Sequence, residues 1–167
     1  IDPPPPFNAA GTTVLYAKEF YQDIVKKLNP GGIVSQWMWF GSRQDDIAMA
    51  TKSFVEVFPY VAAFQSPRGY GGIFLEGSFS PIMTDQAQIK TYLNNTRAEA
   101  DLQEIYPDLR FDDFKNLVVA DREQLINWVG NVLPVTDDYP RTEYFWLRRQ
   151  FKNSPSLVGV KVKDLFN

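Results

Sequence analysis

Residues 33–40, IVSQWMWF, constrain this chain more than any other stretch. The run is nearly continuous in apolar, β-favouring residues, and such runs suit a strand covered on both faces, as in a parallel sheet. Helical patterns lie on either side of it. Before it, Tyr16, Phe20, Ile24 and Leu28 recur every four residues, with Tyr21 and Val25 beside them. That is an amphipathic stripe over residues 16–28, and Asn29-Pro30-Gly31-Gly32 stops it. After it, Ser42 is placed to cap a second helix, with Asp45 as a capping-box-like partner. Ile47, Ala50, Thr51, Phe54 and Phe58 mark that helix's buried face, and Pro59 ends it.

Residues 60–65 and 72–78 read as two further strands. Pro67, Gly69 and Gly71 lie between them, so a hairpin joins the two. A helix between strands implies a right-handed parallel crossover, whereas the hairpin is antiparallel. The expected fold is therefore α/β, with parallel strands ending in an antiparallel hairpin. Composition shifts after Pro81. Residues 85–94, 97–105, 111–119 and 121–131 read as helical stretches separated by short breaks. Residues 135–140 form a turn-rich link, and 142–151 read as a last helix. The expected division is a core over residues 1–82 and a helical extension over 83–167 packed on it.

Composition narrows the chemistry. The chain has 167 residues, 44% of them hydrophobic, which suits one globular domain. Aromatic residues reach 15%, favouring large packed surfaces or aromatic-lined pockets. There is no cysteine and no histidine. Disulfides, a cysteine nucleophile, a Ser-His-Asp triad and the common zinc sites are excluded within this chain. Acid–base chemistry falls to Asp, Glu, Tyr or Lys. The 17 basic and 20 acidic side chains give a net charge of −3, and the basic ones are scattered, which argues against a nucleic-acid surface. No apolar run reaches the roughly 18 residues needed to span a bilayer. The opening, Ile1-Asp2 followed by Pro3–Pro6, resembles no signal peptide and reads as the last turn of a strand whose body lies upstream.

Several short motifs, taken in order, carry a resemblance. They are Asp2-Pro-Pro-Pro-Pro, Leu15-Tyr16, Glu19-Phe20-Tyr21, Leu28-Asn-Pro-Gly-Gly-Ile33, and Phe58-Pro59-Tyr60-Val61. Pro67 to Gly72 followed by Ile73-Phe74-Leu75, and the run from Thr136 through Asp137, Asp138, Tyr139, Pro140, Arg141 and Thr142 to Glu143 and Tyr144, extend it. Together they resemble the spermidine/spermine synthase family, in a divergent branch that includes domains fused to membrane segments. The likeness covers residues 1 to about 80 and the tail near 136–144.

The resemblance implies the C-terminal half of a Rossmann-like methyltransferase fold. It implies transfer of an aminopropyl group from decarboxylated S-adenosylmethionine to an amine acceptor. The donor's glycine-rich loop would come from the missing first half. Gly31-Gly32 ends a helix and Gly71-Gly72 leads into a strand, so neither is a cofactor cradle. Cofactor-binding residues are accordingly not expected here, and no group is expected to be tightly bound. Decarboxylated S-adenosylmethionine or S-adenosylmethionine would serve as co-substrate.

The resemblance places Asp2 as the catalytic base, since a carboxylate both attracts an ammonium and accepts its proton. Pro5 stands where the family carries a second Asp, which weakens the grip on a diamine. Tyr16, Gln36, Trp37 and Tyr70 are the expected substrate-binding residues. Gln36 lies one residue short of the family spacing, which turns it to the opposite sheet face and brings Trp37 to the expected place. Trp37 and Trp39 fit a core equally, as does Tyr16. Tyr70 in the hairpin loop is also offset by one. Asp137, Asp138 and Glu143 form an acidic cluster, and capping of the 142–151 helix suits them better than a metal site. Asn94-Asn95-Thr96 matches a glycosylation acceptor, a pattern common by chance.

The resulting expectation is a fragment of a spermidine-synthase-like transferase, inactive alone. The rivals are a methyltransferase of the same fold and a non-catalytic interaction or sensor domain. The expected partner is a small-molecule amine, with no nucleic acid. A homodimer and flanking membrane segments in a longer chain are compatible with the sequence, as is a cytoplasmic location.

Overall fold

The computed structural model describes residues 1, 11–65, 71–95, 97–108, 117–143 and 155–166. Among them it is a mixed α/β structure built on a four-stranded sheet in the order β1-β3-β2-β4. A 3-10 helix, Thr12–Tyr16, leads into α1, Lys18–Val25. Then come β1 (Ile33–Trp39), α2 (Gln44–Val57), β2 (Tyr60–Gln65) and β3 (Gly72–Ser78). Helices α3 (Gln86–Asn95) and α4 (Ala98–Ile105) precede β4 (Val118–Asp121) and α5 (Arg122–Val129). No helix among the described residues is long and apolar enough to cross a membrane.

The hairpin forms as the sequence leads one to expect, but its return strand takes an unexpected slot. Strand β3 pairs antiparallel with β2 and also antiparallel with β1, so it lies between them. The expected β1–β2 parallel ladder is therefore absent, and every named ladder among the described residues is antiparallel. The strands joined through α2 still run in the same direction, because both oppose β3. Alternation along β3 fixes which face each residue takes. It does not say which edge of β2 the hairpin occupies.

One sheet face carries the main core. Val34, Met38, Ile73, Leu75, Val61 and Ala63 point into it and meet α1 and α2. Helix α2 buries Ile47, Ala50, Thr51, Phe54 and Phe58, the face read from its spacing. Phe54 and Phe58 stack 4.7 Å apart, and Tyr21 sits edge-on to Phe54 at 5.0 Å. Each fully buried aromatic of this kind contributes about 1.5–3 kcal/mol through burial. The rings lie so close to β3 that a Cβ on Gly77 would come within 2.6 Å of Phe54.

Local details depart from expectation for physical reasons. The helical stripe over 16–28 is interrupted at Ala17, whose backbone is extended. Tyr21 is the fully buried residue of α1, while Phe20, Ile24 and Leu28 are half-buried and line a shallow groove of about 350 Å³. The N-cap of α2 is Arg43, not Ser42, and no side-chain cap bond forms. Ser42 instead donates to buried Asp46. The stretch 111–119, read as helical, ends in strand β4, since Val118 and Val119 are β-branched and fit a pleated edge. Residues 109–116 lie outside the described set. Asp121 closes a capping box with Gln124, each side chain bonding the other's backbone N–H at 2.9–3.0 Å. Arg122 then donates to the carbonyls of Val55 and Phe58, capping the end of α2 from α5.

The segment after α5 is tied to α2 from inside. The Ser53 hydroxyl accepts from Val135 N at 2.9 Å and shares its own hydrogen between Val135 O and Met49 O. Lys18 N also donates to Val135 O at 3.0 Å, so α1, α2 and residue 135 meet at one point.

Candidate functional site

Ile1 sits at the free edge of β1. Its ammonium donates to Ser35 O at 2.8 Å, and its carbonyl accepts from Trp37 N at 3.3 Å. Bonds that bracket one residue in this way are the parallel pattern, so Ile1 lies opposite Gln36 and runs with β1. Asp2 follows it but lies outside the described residues, as does Tyr70.

Gln36 is fully buried on the helix-covered face. Its Oε1 accepts from Tyr21 Oη at 3.4 Å, and its Nε2 donates to the carbonyl of Trp37 at 3.1 Å. Tyr16 is buried in the same core cluster, on the same side. Burial pushes the Tyr16 hydroxyl well above the usual tyrosine range. Burial, and then the neighbouring Tyr16, does the same to Tyr21. Neither phenol is poised for proton transfer near neutral pH. Tyr16 and Gln36 thus belong to one sealed polar seam, with Tyr21 bonded to Gln36.

Trp37 faces the other way, as the strand period requires. Its ring meets Phe74 at 4.6 Å on the sheet face turned away from α1 and α2. The next cross-strand pair on that face is Ser35 with Glu76, whose Oε1 accepts from Ser35 Oγ at 2.7 Å. Glu76 is half-buried. Burial raises its carboxyl above the ordinary value, against the Ser35 hydrogen bond and the Ile1 ammonium, which pull it down. The sequence reading missed this pair. A signal was present: Glu76 is the one charged residue in the run GIFLEGS.

The acidic tail residues separate rather than converge. Glu143 Oε1 accepts from Gly11 N at 3.1 Å, while Asp137 N donates to Glu19 Oε2 at 3.1 Å. Among the described residues no group of three or more acidic side chains could hold a metal ion. The proposed capping of a 142–151 helix falls mostly outside the described residues.

No family model matches the chain, and no curated protein or solved structure matches it significantly. What the chain can do chemically therefore rests on its own geometry. That geometry offers a sealed Tyr21–Gln36 seam on one sheet face and a half-open carboxylate beside an aromatic pair on the other.

Proposed function

We propose that the chain is the acceptor-side half of a spermidine-synthase-like transferase with a Rossmann-like sheet. The observation that carries the reading is the placement of Ile1, parallel to β1 and heading toward its carboxyl end. Strand β2 runs the same way, and in open α/β sheets ligands gather beyond the carboxyl ends of the strands. The acceptor amine would sit beyond those ends.

In that reaction the acceptor nitrogen attacks the aminopropyl carbon of decarboxylated S-adenosylmethionine. The carbon–sulfur bond breaks, methylthioadenosine leaves with the electron pair, and Asp2 takes the proton from nitrogen. Trp37 and Tyr70 would border the acceptor. Gln36 would act at a distance, by fixing β1 through Tyr21. Donor-binding residues would lie outside the 167-residue chain.

The test has two parts. Calorimetry of the 167-residue chain with methylthioadenosine should show no micromolar binding. A longer chain that includes the upstream sequence should release methylthioadenosine from the decarboxylated donor in the presence of an amine, and Asp2→Asn should abolish that release. Micromolar binding by the short chain, or full activity of Asp2→Asn, defeats the reading. A second reading, a non-catalytic interaction domain on the same fold, is favoured by the sealing of Gln36 away from solvent. No turnover by the longer chain with either the decarboxylated donor or S-adenosylmethionine would support it. Turnover with S-adenosylmethionine alone would point to the methyltransferase rival, which Pro5 favours.

A further inference from the structure

We propose that the outer face of α1 is a self-association surface, on which a second copy of this chain docks its own α1 antiparallel, about a two-fold axis near Ile24. The proposal does not rest on the transferase reading, because Tyr16, Gln36 and Trp37 do not line the groove on this face.

Phe20, Ile24 and Leu28 recur every four residues and form one stripe. Helix α1 ends at Val25, but Lys27 N donates to Ile24 O at 2.8 Å and Leu28 N to Val25 O at 3.2 Å, so a tighter turn carries the stripe on to Leu28. All three side chains are half-buried, and with Asp23 and Lys27 they line the groove of about 350 Å³. Charge is graded along it. Near the start of the helix, Asp137 N donates to Glu19 Oε2 at 3.1 Å. Desolvation, then Glu19, Asp138 and Asp23, raise the Asp137 carboxyl above its ordinary value, so four carboxylates gather on that side. Lys26 and Lys27 follow at the other end, with Lys26 paired to Asp23. Among the described residues, Glu19, Lys27, Asp137 and Asp138 form no ion pair.

An acid-to-base gradient beside an apolar stripe complements itself when reversed. Under a two-fold axis every contact occurs twice, residue i on j and j on i. A helix rises about 1.5 Å per residue, so with Ile24 opposite Ile24 each Phe20 meets Leu28 of the other copy. Each Lys27 then falls between Glu19 and Asp23 of the other copy. A basic peptide would leave Lys27 facing like charge, and an acidic peptide or anionic membrane would meet the four carboxylates. Two turns from each copy make a small interface, so the dimer is weak and reversible.

The test is sedimentation equilibrium of the chain over a range of concentrations. A reversible monomer–dimer equilibrium is expected. Asp23→Lys and Lys27→Glu should each weaken it at least about tenfold, because each sets like charges together twice. A one-to-one mixture of the two variants should regain association, since a face made more basic then meets one made more acidic. Both residues are exposed, and the exposed Asp23–Lys26 pair that Asp23→Lys removes is worth little, so both variants should fold. Amide shifts of the wild-type chain on dilution, expected at residues 19–28, give an independent readout. Monomer at every concentration, unchanged association in both single variants, no recovery in the mixture, or dilution shifts centred on β1 would each overturn the proposal. If either variant fails to fold, the wild-type dilution shifts decide the matter.

Discussion

Tyr21 Oη donates to Gln36 Oε1 at 3.4 Å inside the helix-covered core, and this contact joins α1 to β1. It makes Gln36 a structural residue in the described chain. The bond is long, so its net worth lies at the low end for buried hydrogen bonds. Tyr21→Phe should cost about 1 kcal/mol in urea unfolding. Combining it with Gln36→Met should cost less than the two single changes summed, since both partners are then removed. A strictly additive pair would show that the contact carries no coupling.

Ser53 offers a sharper test of how residue 135 is held. Ser53→Ala strands the buried Val135 N–H by removing the hydroxyl that accepts its hydrogen bond at 2.9 Å. A cost of about 1–3 kcal/mol follows for a buried unsatisfied donor. Hydrogen exchange at Val135 should accelerate along with the drop in the urea midpoint. A slow Val135 amide in the variant would contradict this account.

Gly77 is required by packing rather than by its backbone dihedral. Gly77→Ala drives a methyl group against the rings of Phe54 and Phe58. Overpacking of this kind costs about 1–3 kcal/mol. Phe54→Leu should relieve part of it, so the double variant is more stable than the sum predicts. Thermal melts of the four proteins measure that coupling.

Glu76 gives the chain a pH signature. Burial raises its carboxyl above the ordinary value of 4.5, so the folded chain holds this proton more tightly than the unfolded chain. Its contribution is fully favourable below the unfolded value and declines as pH rises through the raised one. Glu76→Gln cannot titrate and should remove that decline. Urea midpoints measured at steps from about pH 4.5 to neutrality should converge at the acid end and favour the variant at neutral pH. Parallel curves would rule the effect out.

Much of the architecture was legible because it is local. Helix α2, strands β1 to β3 and the hairpin follow from periodicity, from Pro59 and from the glycines around the turns. The candidate site was less legible. A one-residue offset correctly separated Gln36 from Trp37, because strand faces alternate. Nothing in the sequence named Tyr21 as the partner that seals Gln36. Strand β4 was missed because Val118–Asp121 is short and follows residues with a helical pattern.

By itself the sequence determined that β1 to β3 are strands and α2 a helix, and which face their residues present, since those follow from propensity and from periods of 2 and 3.6. It also determined the absence of thiol and imidazole chemistry. Only the tertiary structure decided that β3 lies between β1 and β2, that Ile1 runs along the β1 edge, and that Glu76 meets Ser35 beside an aromatic pair. Alternation sets a side chain's face, but the identity of a neighbouring strand depends on contacts far apart in the chain.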